Sequence, residues 1–302
     1  MNHSRSGLLL LLFGLCLFTR STFADEGRRF LLVISGLGGE AYYSELFRRW
    51  SLDLLEIAHR YYGIDDGQTI YLAEPFDNAD DGVDGLSRKS AILAAIADLE
   101  SRSSSGDRVF ILLIGHGTAQ GRDVRFNLPG PDLSPHELAD AALKDRRLAV
   151  VNTTPSSGPF VQSLSSEGRV IISATAGAHE YQHTLFGGFF IDALTSDEAD
   201  TDKDRQVSLL EAFLFARRQV KLAYESDNRL QSEHPMLDDN GDGIGSRQPV
   251  PDGIEGLDGA LAGRFNLAGA VAVSYTHLRA HETKEDISYA VFCLKRGGGG
   301  GG

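Results

Sequence analysis

Short apolar runs alternate with longer segments whose apolar positions repeat at helical spacing. Residues 30–35 (FLLVIS) and 108–114 (RVFILLI) are continuous apolar runs, as expected for strands covered on both faces. Residues 148–151 and 170–174 have the same character, and 69–73 is a shorter example. Between these runs, residues 40–62 carry Leu46, Phe47, Trp50, Leu54, Leu55 and Ala58 on one helical stripe. Helices are also predicted over 86–100, 134–143, 184–194 and 209–224. Ser134, followed three residues later by Glu137, is a capping box at the start of the second of these. Strands separated by helices predict an α/β fold, a three-layer α/β/α sandwich around a mostly parallel sheet. Ligand sites in such sheets gather beyond the carboxyl ends of the strands. That rule directs attention to residues 36–39, 115–118, 152–158 and 175–183.

Composition narrows the partners. The 302 residues are 42% hydrophobic, enough for a large core, and carry a formal charge of −13. That sign argues against nucleic acid or an anionic membrane surface as partner, and it suits cations. Residues 1–24 read as a cleavable secretory signal, with Arg5, an apolar stretch over 8–18, and Thr22-Phe23-Ala24 at the cleavage site. The stretch is too short to span a bilayer, so a secreted or periplasmic protein without a membrane anchor is expected. Residues 273–302 resemble a translated sequencing adapter followed by a polyglycine run, and are set aside. The two cysteines, Cys16 and Cys293, both fall in these end segments. The remaining chain is expected to have no disulfide, thiolate metal site or cysteine nucleophile. Its organisation is an α/β domain over 25–244 and a Gly/Pro/Asp-rich segment over 245–272.

One histidine stands out. RVFILLIGHGT sets His116 between glycines at the end of a buried strand. Here the chain resembles the caspase–hemoglobinase superfamily of caspases, metacaspases, legumains and gingipains. In that fold the catalytic histidine ends one strand in an HG motif, and the nucleophilic cysteine ends the next. The resemblance covers roughly residues 29–222 and implies a caspase-like sandwich. It equates His116 with the family histidine and Ser157-Gly158 with the small pair after the cysteine. The cysteine position then falls on Pro155, which has neither a nucleophile nor an N–H. The resemblance therefore implies a pseudopeptidase that binds a peptide or protein. A serine hydrolase with Ser156 or Ser157 as nucleophile and His116 as base is the first enzymatic alternative.

A second alternative is a zinc hydrolase. His179-Glu180-Tyr181-Gln182-His183 is formally HExxH, which on a helix puts two imidazoles on one face beside a general base. It follows a strand directly, which favours a loop for the first histidine.

The chain's strongest metal signal is for calcium. In DTDKDRQVSLLE, Asp200, Asp202 and Asp204 occupy positions 1, 3 and 5 of an EF-hand loop. Gln206 is at position 7, Ser208 at 9 and Glu211 at 12, with helices predicted on both sides. Arg205 replaces the glycine normally found at position 6, which predicts backbone strain and weak affinity. A second loop, DDNGDGIGS, offers Asp238, Asn240 and Asp242 with Gly243 at position 6. Pro249 stands at its position 12, so its bidentate carboxylate is missing and it ranks as the weaker calcium candidate.

Overall fold

The structure is a computed structural model that describes residues 27–75, 82–144, 146–251 and 256–267. The leader-like and adapter-like segments of the sequence lie outside them. From the N-terminal side the elements are β1 (Arg29–Ser35), α1 (Ala41–Tyr62), β2 (Thr69–Ala73), β3 (Gly85–Leu86), α2 (Lys89–Arg102) and β4 (Arg108–Ile114). A hairpin of β5 (Gly117–Gln120) and β6 (Asp123–Phe126) follows, then α3 (Pro135–Ala141), β7 (Arg147–Asn152), α4 (Gly158–Leu164) and β8 (Arg169–Ser173). The last elements are α5 (Phe186–Ala193), α6 (Leu209–Ser226) and β9 (Met236–Asp238). Seven strands form one sheet in the order β3-β2-β1-β4-β7-β8-β9. All its pairings are parallel except the last, where β9 runs antiparallel to β8.

The apolar runs explain the layering. Successive side chains on a strand point to opposite faces. Leu31 and Val33 of β1, with Phe110 and Leu112 of β4, join one core with Phe47 and Leu54 of α1 and with α5 and α6. Leu32 and Ile34, with Ile111 and Leu113, join the other core, under α2, α3 and α4. Every residue from Val109 to Ile114 is buried, which is why β4 lacks a polar alternation. The sheet is thus covered on both faces, as the sequence predicts.

Local signals set several helix ends. α1 stops at Gly63, in the left-handed region at φ 60°, whose amide bonds back to Ala58 O. Ser134 and Glu137 form the expected capping box on α3. α5 packs closely on α1 because Gly187 and Gly188 leave room for the Trp50 ring; a Cβ at either would come within 2.9 Å of it. Among the described residues, no helix is long and apolar enough to cross a membrane.

Candidate functional site

The strand order places a topological switch point between β1 and β4. From β1 the chain moves outward to β2 and β3, and from β4 it moves the other way to β7 and β8. The chain thus reverses its direction across the sheet between β1 and β4, and the carboxyl edge at that switch point is the usual ligand position in such sheets. His116 immediately follows β4 and lies at this edge. Its Nε2 is 3.2 Å from the carbonyl oxygen of Gly38, in the loop after β1. The Gly38 amide donates to both carboxylate oxygens of buried Glu74, each at 3.2 Å. Tyr43 and Phe47 of α1 meet the imidazole edge-on, at centroid distances of 4.7 and 5.0 Å.

A second imidazole shares this aromatic cup. The His183 ring lies 4.9 Å from Tyr43 and 6.4 Å from His116. Burial and the neighbouring His116 hold its pKa down at about 4. Burial also lowers that of His116, against the opposing pull of Gly38 O, Glu40 and Glu74. Both rings are neutral at pH 7, the form in which an imidazole accepts a proton or a hydrogen bond. His183 Nδ1 is buried with no hydrogen-bond partner.

The loop after β7 adjoins this edge. A Cβ on Gly117 would stand 2.2 Å from Pro155 O, so the two backbones touch where only glycine fits. His116 and Pro155 thus meet at the same end of neighbouring strands. The hydroxyls around Pro155 are engaged by the protein itself. Thr154 Oγ1 donates to Asn152 Oδ1 at 2.7 Å. Ser156 Oγ donates to Ala178 O at 3.0 Å, and Ser157 Oγ pairs with Thr175 Oγ1 at 3.1 Å. Ser156 adopts a left-handed φ of 57°, held by its amide bond to Glu180 O at 2.8 Å. That conformation costs a non-glycine residue about 1–2 kcal/mol. His116 makes its hydrogen bond to Gly38 rather than to either serine.

The HExxH segment does not take the form zinc chemistry needs. Residues 178–184 are non-helical, and α5 begins only at Phe186, so His179 and His183 do not share a helical face. Glu180 explains the departure by folding back onto its own loop. Its Oε2 accepts from the amides of Ala176 (2.8 Å) and His234 (3.0 Å), and its Oε1 lies 2.6 Å from His234 Nδ1. Glu233, which the sequence offers only as one candidate for a third zinc ligand, lies near it. This buried carboxylate accepts from the amides of Leu185 and Phe186 at the start of α5, and burial lifts its pKa to about 8. No local signal marks its place at the start of α5, because those partners lie more than forty residues away in sequence.

The loop at 200–211 brings its acids together. One carboxylate oxygen each from Asp200, Asp202 and Asp204 lies within 4.8 Å of the others. Glu211 Oε1 accepts from the amides of Thr201 (2.7 Å) and Asp202 (3.4 Å), while its Oε2 accepts from Ser208 N (2.9 Å), capping α6. Arg205 has φ 70°, the strained geometry expected of a side chain at position 6, and Lys203 at position 4 has φ 62°. Gln206 Oε1 accepts from Asn266 Nδ2 at 2.6 Å. Asp200 Oδ1 is buried without a partner. Burial, with Asp202, Asp200 and Glu211 nearby, raises the pKa of Asp204.

The weaker loop starts from β9. Asp238 is fully buried, Asn240 and Asp242 are exposed, and Gly241 and Gly243 supply positive φ values of 82° and 76°. No protein-family model matches the chain, and no curated protein matches it.

Proposed function

We propose that this chain is an exported homologue of the caspase- and legumain-like peptidases that has lost the cysteine-peptidase reaction and serves as a calcium-responsive binding or structural module. Its ligand on this reading is a peptide or a partner protein at the His116 edge. One observation carries the reading: Pro155 stands against Gly117 beside His116, where the family resemblance asks for a thiol. Proline brings no attacking atom and no N–H for a developing oxyanion. The loop at 200–211 supports the calcium part, because three carboxylates converge and one buried oxygen of Asp200 has no donor. Asp200, Asp202, Asp204, the Gln206 carbonyl and Glu211 would hold the ion, through water at Ser208.

The strained backbone at Ser156 favours a second reading, hydrolysis by Ser156 or Ser157 with His116 as base. It requires a serine hydroxyl to leave its present acceptor and turn to the imidazole. A peptidase and esterase screen with and without calcium, together with a covalent serine probe, separates the two. The pseudopeptidase reading expects no labelling, and turnover that His116→Ala leaves unchanged. Hydrolysis abolished by His116→Ala would overturn it, and Ser156→Ala against Ser157→Ala would then assign the nucleophile.

A further inference from the structure

The two acidic loops share more than composition. In the loop at 200–211 the amide at position 5 donates to the side chain at position 3, Asp204 N to Asp202 Oδ1, at 3.1 Å. In the second loop Asp242 N donates to Asn240 Oδ1 at 2.9 Å. The amide at position 7 donates to position 5 in both: Gln206 N to Asp204 Oδ1, and Ile244 N to Asp242 Oδ1, each at 2.7 Å. Positions 4 and 6 have positive φ in both loops. The difference is at position 12, where the first loop has Glu211 and the second has Pro249.

A carboxylate from farther along the chain fills the same role in the second loop. Asp258, 4% exposed, accepts the position 2 amide, Asp239 N, on Oδ1 at 3.0 Å. It also takes the position 3 amide, Asn240 N. These are the amides, by position, that Glu211 takes in the first loop. Asp239 returns the clasp, accepting Gly259 N and Ala262 N at 2.7 Å each, so the Asp258 segment is fixed against the loop from both sides.

An independent observation points to a missing ligand. Asp238, at position 1, is 0% exposed. Its Oδ1 accepts from Gly241 N and Ser165 Oγ, both at 3.2 Å. Its Oδ2 is buried and receives no donor. A buried carboxylate oxygen with no donor is costly, and a hard cation is the partner that oxygen donors at this spacing select. Asp200 Oδ1 is the equivalent orphan at position 1 of the first loop.

We infer that the second loop is a calcium site in its own right, completed by Asp258 in place of the absent position 12 glutamate. Asp238, Asn240 and Asp242 with the Ile244 carbonyl would supply the loop side; Asp258, whose carboxylate holds the Asp239 amide and does not stand at ligand spacing from Asp238 and Asp242 together, would turn inward to close it. This deepens the calcium reading proposed above and rests on the same chemistry, but on different residues.

Equilibrium dialysis of the full chain against calcium tests it. Two equivalents are expected for the unaltered protein. Asp258→Asn, which keeps an oxygen for the Asp239 amide but loses the charge, should bind one, and so should Asp242→Ala at an exposed position. If Asp258→Asn fails to fold, the Asp242→Ala result decides. Asp202→Asn should lose the other equivalent and leave this one. One equivalent in the unaltered chain, lost in Asp202→Asn and kept in Asp242→Ala, would overturn this site and spare the first. One equivalent lost in Asp242→Ala and kept in Asp202→Asn would do the reverse. Two equivalents retained in both Asp258→Asn and Asp242→Ala, or none bound by the unaltered chain, would overturn the inference.

Discussion

The carboxyl edge around His116 and the two acidic loops treat their polar groups in opposite ways. At the histidine edge, Thr154, Ser156 and Ser157 each spend their hydroxyl on another part of the protein, and His116 is anchored to Gly38. At the acidic loops, backbone amides are taken up by carboxylates, yet the position 1 aspartate in each keeps one buried oxygen with no donor. The first region engages its hydroxyls within its own chain and leaves buried nitrogens, His183 Nδ1 and Asn152 Nδ2, without partners, while the second leaves carboxylate acceptors in excess. The lesson is that the histidine edge stores its imbalance as desolvated neutral groups, whereas the acidic loops store theirs as uncompensated negative charge. Non-glycine residues in left-handed geometry shape the histidine edge, at Ser156, and the loop at 200–211, at Lys203 and Arg205, while the second acidic loop uses Gly241 and Gly243 at the same positions. Only the loop at 200–211 couples that strain to an unfilled charge.

The largest expected effect belongs to the histidine edge and is a pH dependence. His183 has its pKa lowered from 6.5 to about 4 in the folded protein. The folded state therefore binds fewer protons than the unfolded state between those values. This contribution to stability is full above about pH 6.5, falls as the pH drops, and is fully lost below about 4, amounting to about 3 kcal/mol. Denaturant melts between pH 7 and 4 should show that loss, and His183→Phe should reduce it. An unchanged acid limb in His183→Phe would show that the ring titrates normally and that the edge is not dry. Because Nδ1 has no partner, the substitution removes no hydrogen bond at that atom.

Calcium should act on the other region alone and by a smaller amount. At a free concentration ten times the dissociation constant, one site stabilises by about 1.4 kcal/mol, a rise in Tm of about 3–6 °C for a domain of this size. Asp202→Asn combined with Asp242→Ala should abolish the shift, and His116→Ala should leave it intact. Magnesium should substitute poorly, since it demands a tighter octahedron than a flexible loop provides. A shift that survived loss of both loops would break the contrast drawn here.

The layered fold was legible because its strands are unbroken apolar runs. Nothing but burial on both faces accounts for RVFILLI, and the α3 capping box and the helical stripe of α1 are equally local. The hairpin of β5 and β6 was missed because GTAQ and DVRF carry little apolar signal, and its fixed features include the contact of Gly117 with Pro155. α4 was missed because it is seven residues long and starts at Gly158-Pro159. The HExxH pattern misled in the opposite way. Its spacing suits a helix, but Glu180 finds the Ala176 and His234 amides and holds the segment as a loop. In the acidic loops the Asp spacing was plain. Asp258 was invisible because the clasp it makes depends on the fold of the segment after residue 250.

The smallest expected effect compares the two loops directly, at position 6. Arg205 holds φ 70° with a side chain, and Gly243 holds φ 76° without one. Arg205→Gly removes the left-handed penalty of about 1–2 kcal/mol, but frees the unfolded chain at a cost of about 0.4–1 kcal/mol. The net gain should be no more than about 1.6 kcal/mol without calcium. With calcium it should grow, because a cationic side chain leaves the rim of a cation site. Gly243→Ala should move the other way. An added Cβ there would meet nothing closer than 3.7 Å, so its cost is the backbone strain of about 1–2 kcal/mol less about 0.4–1 kcal/mol for the stiffer unfolded chain. Urea melts of the two variants with and without calcium measure both signs. Equal responses would mean that the loops do not share one backbone solution. Opposite responses would mean that the first loop tolerates strain at the position where the second has glycine, while the second recruits Asp258 for the carboxylate the first carries within its own sequence.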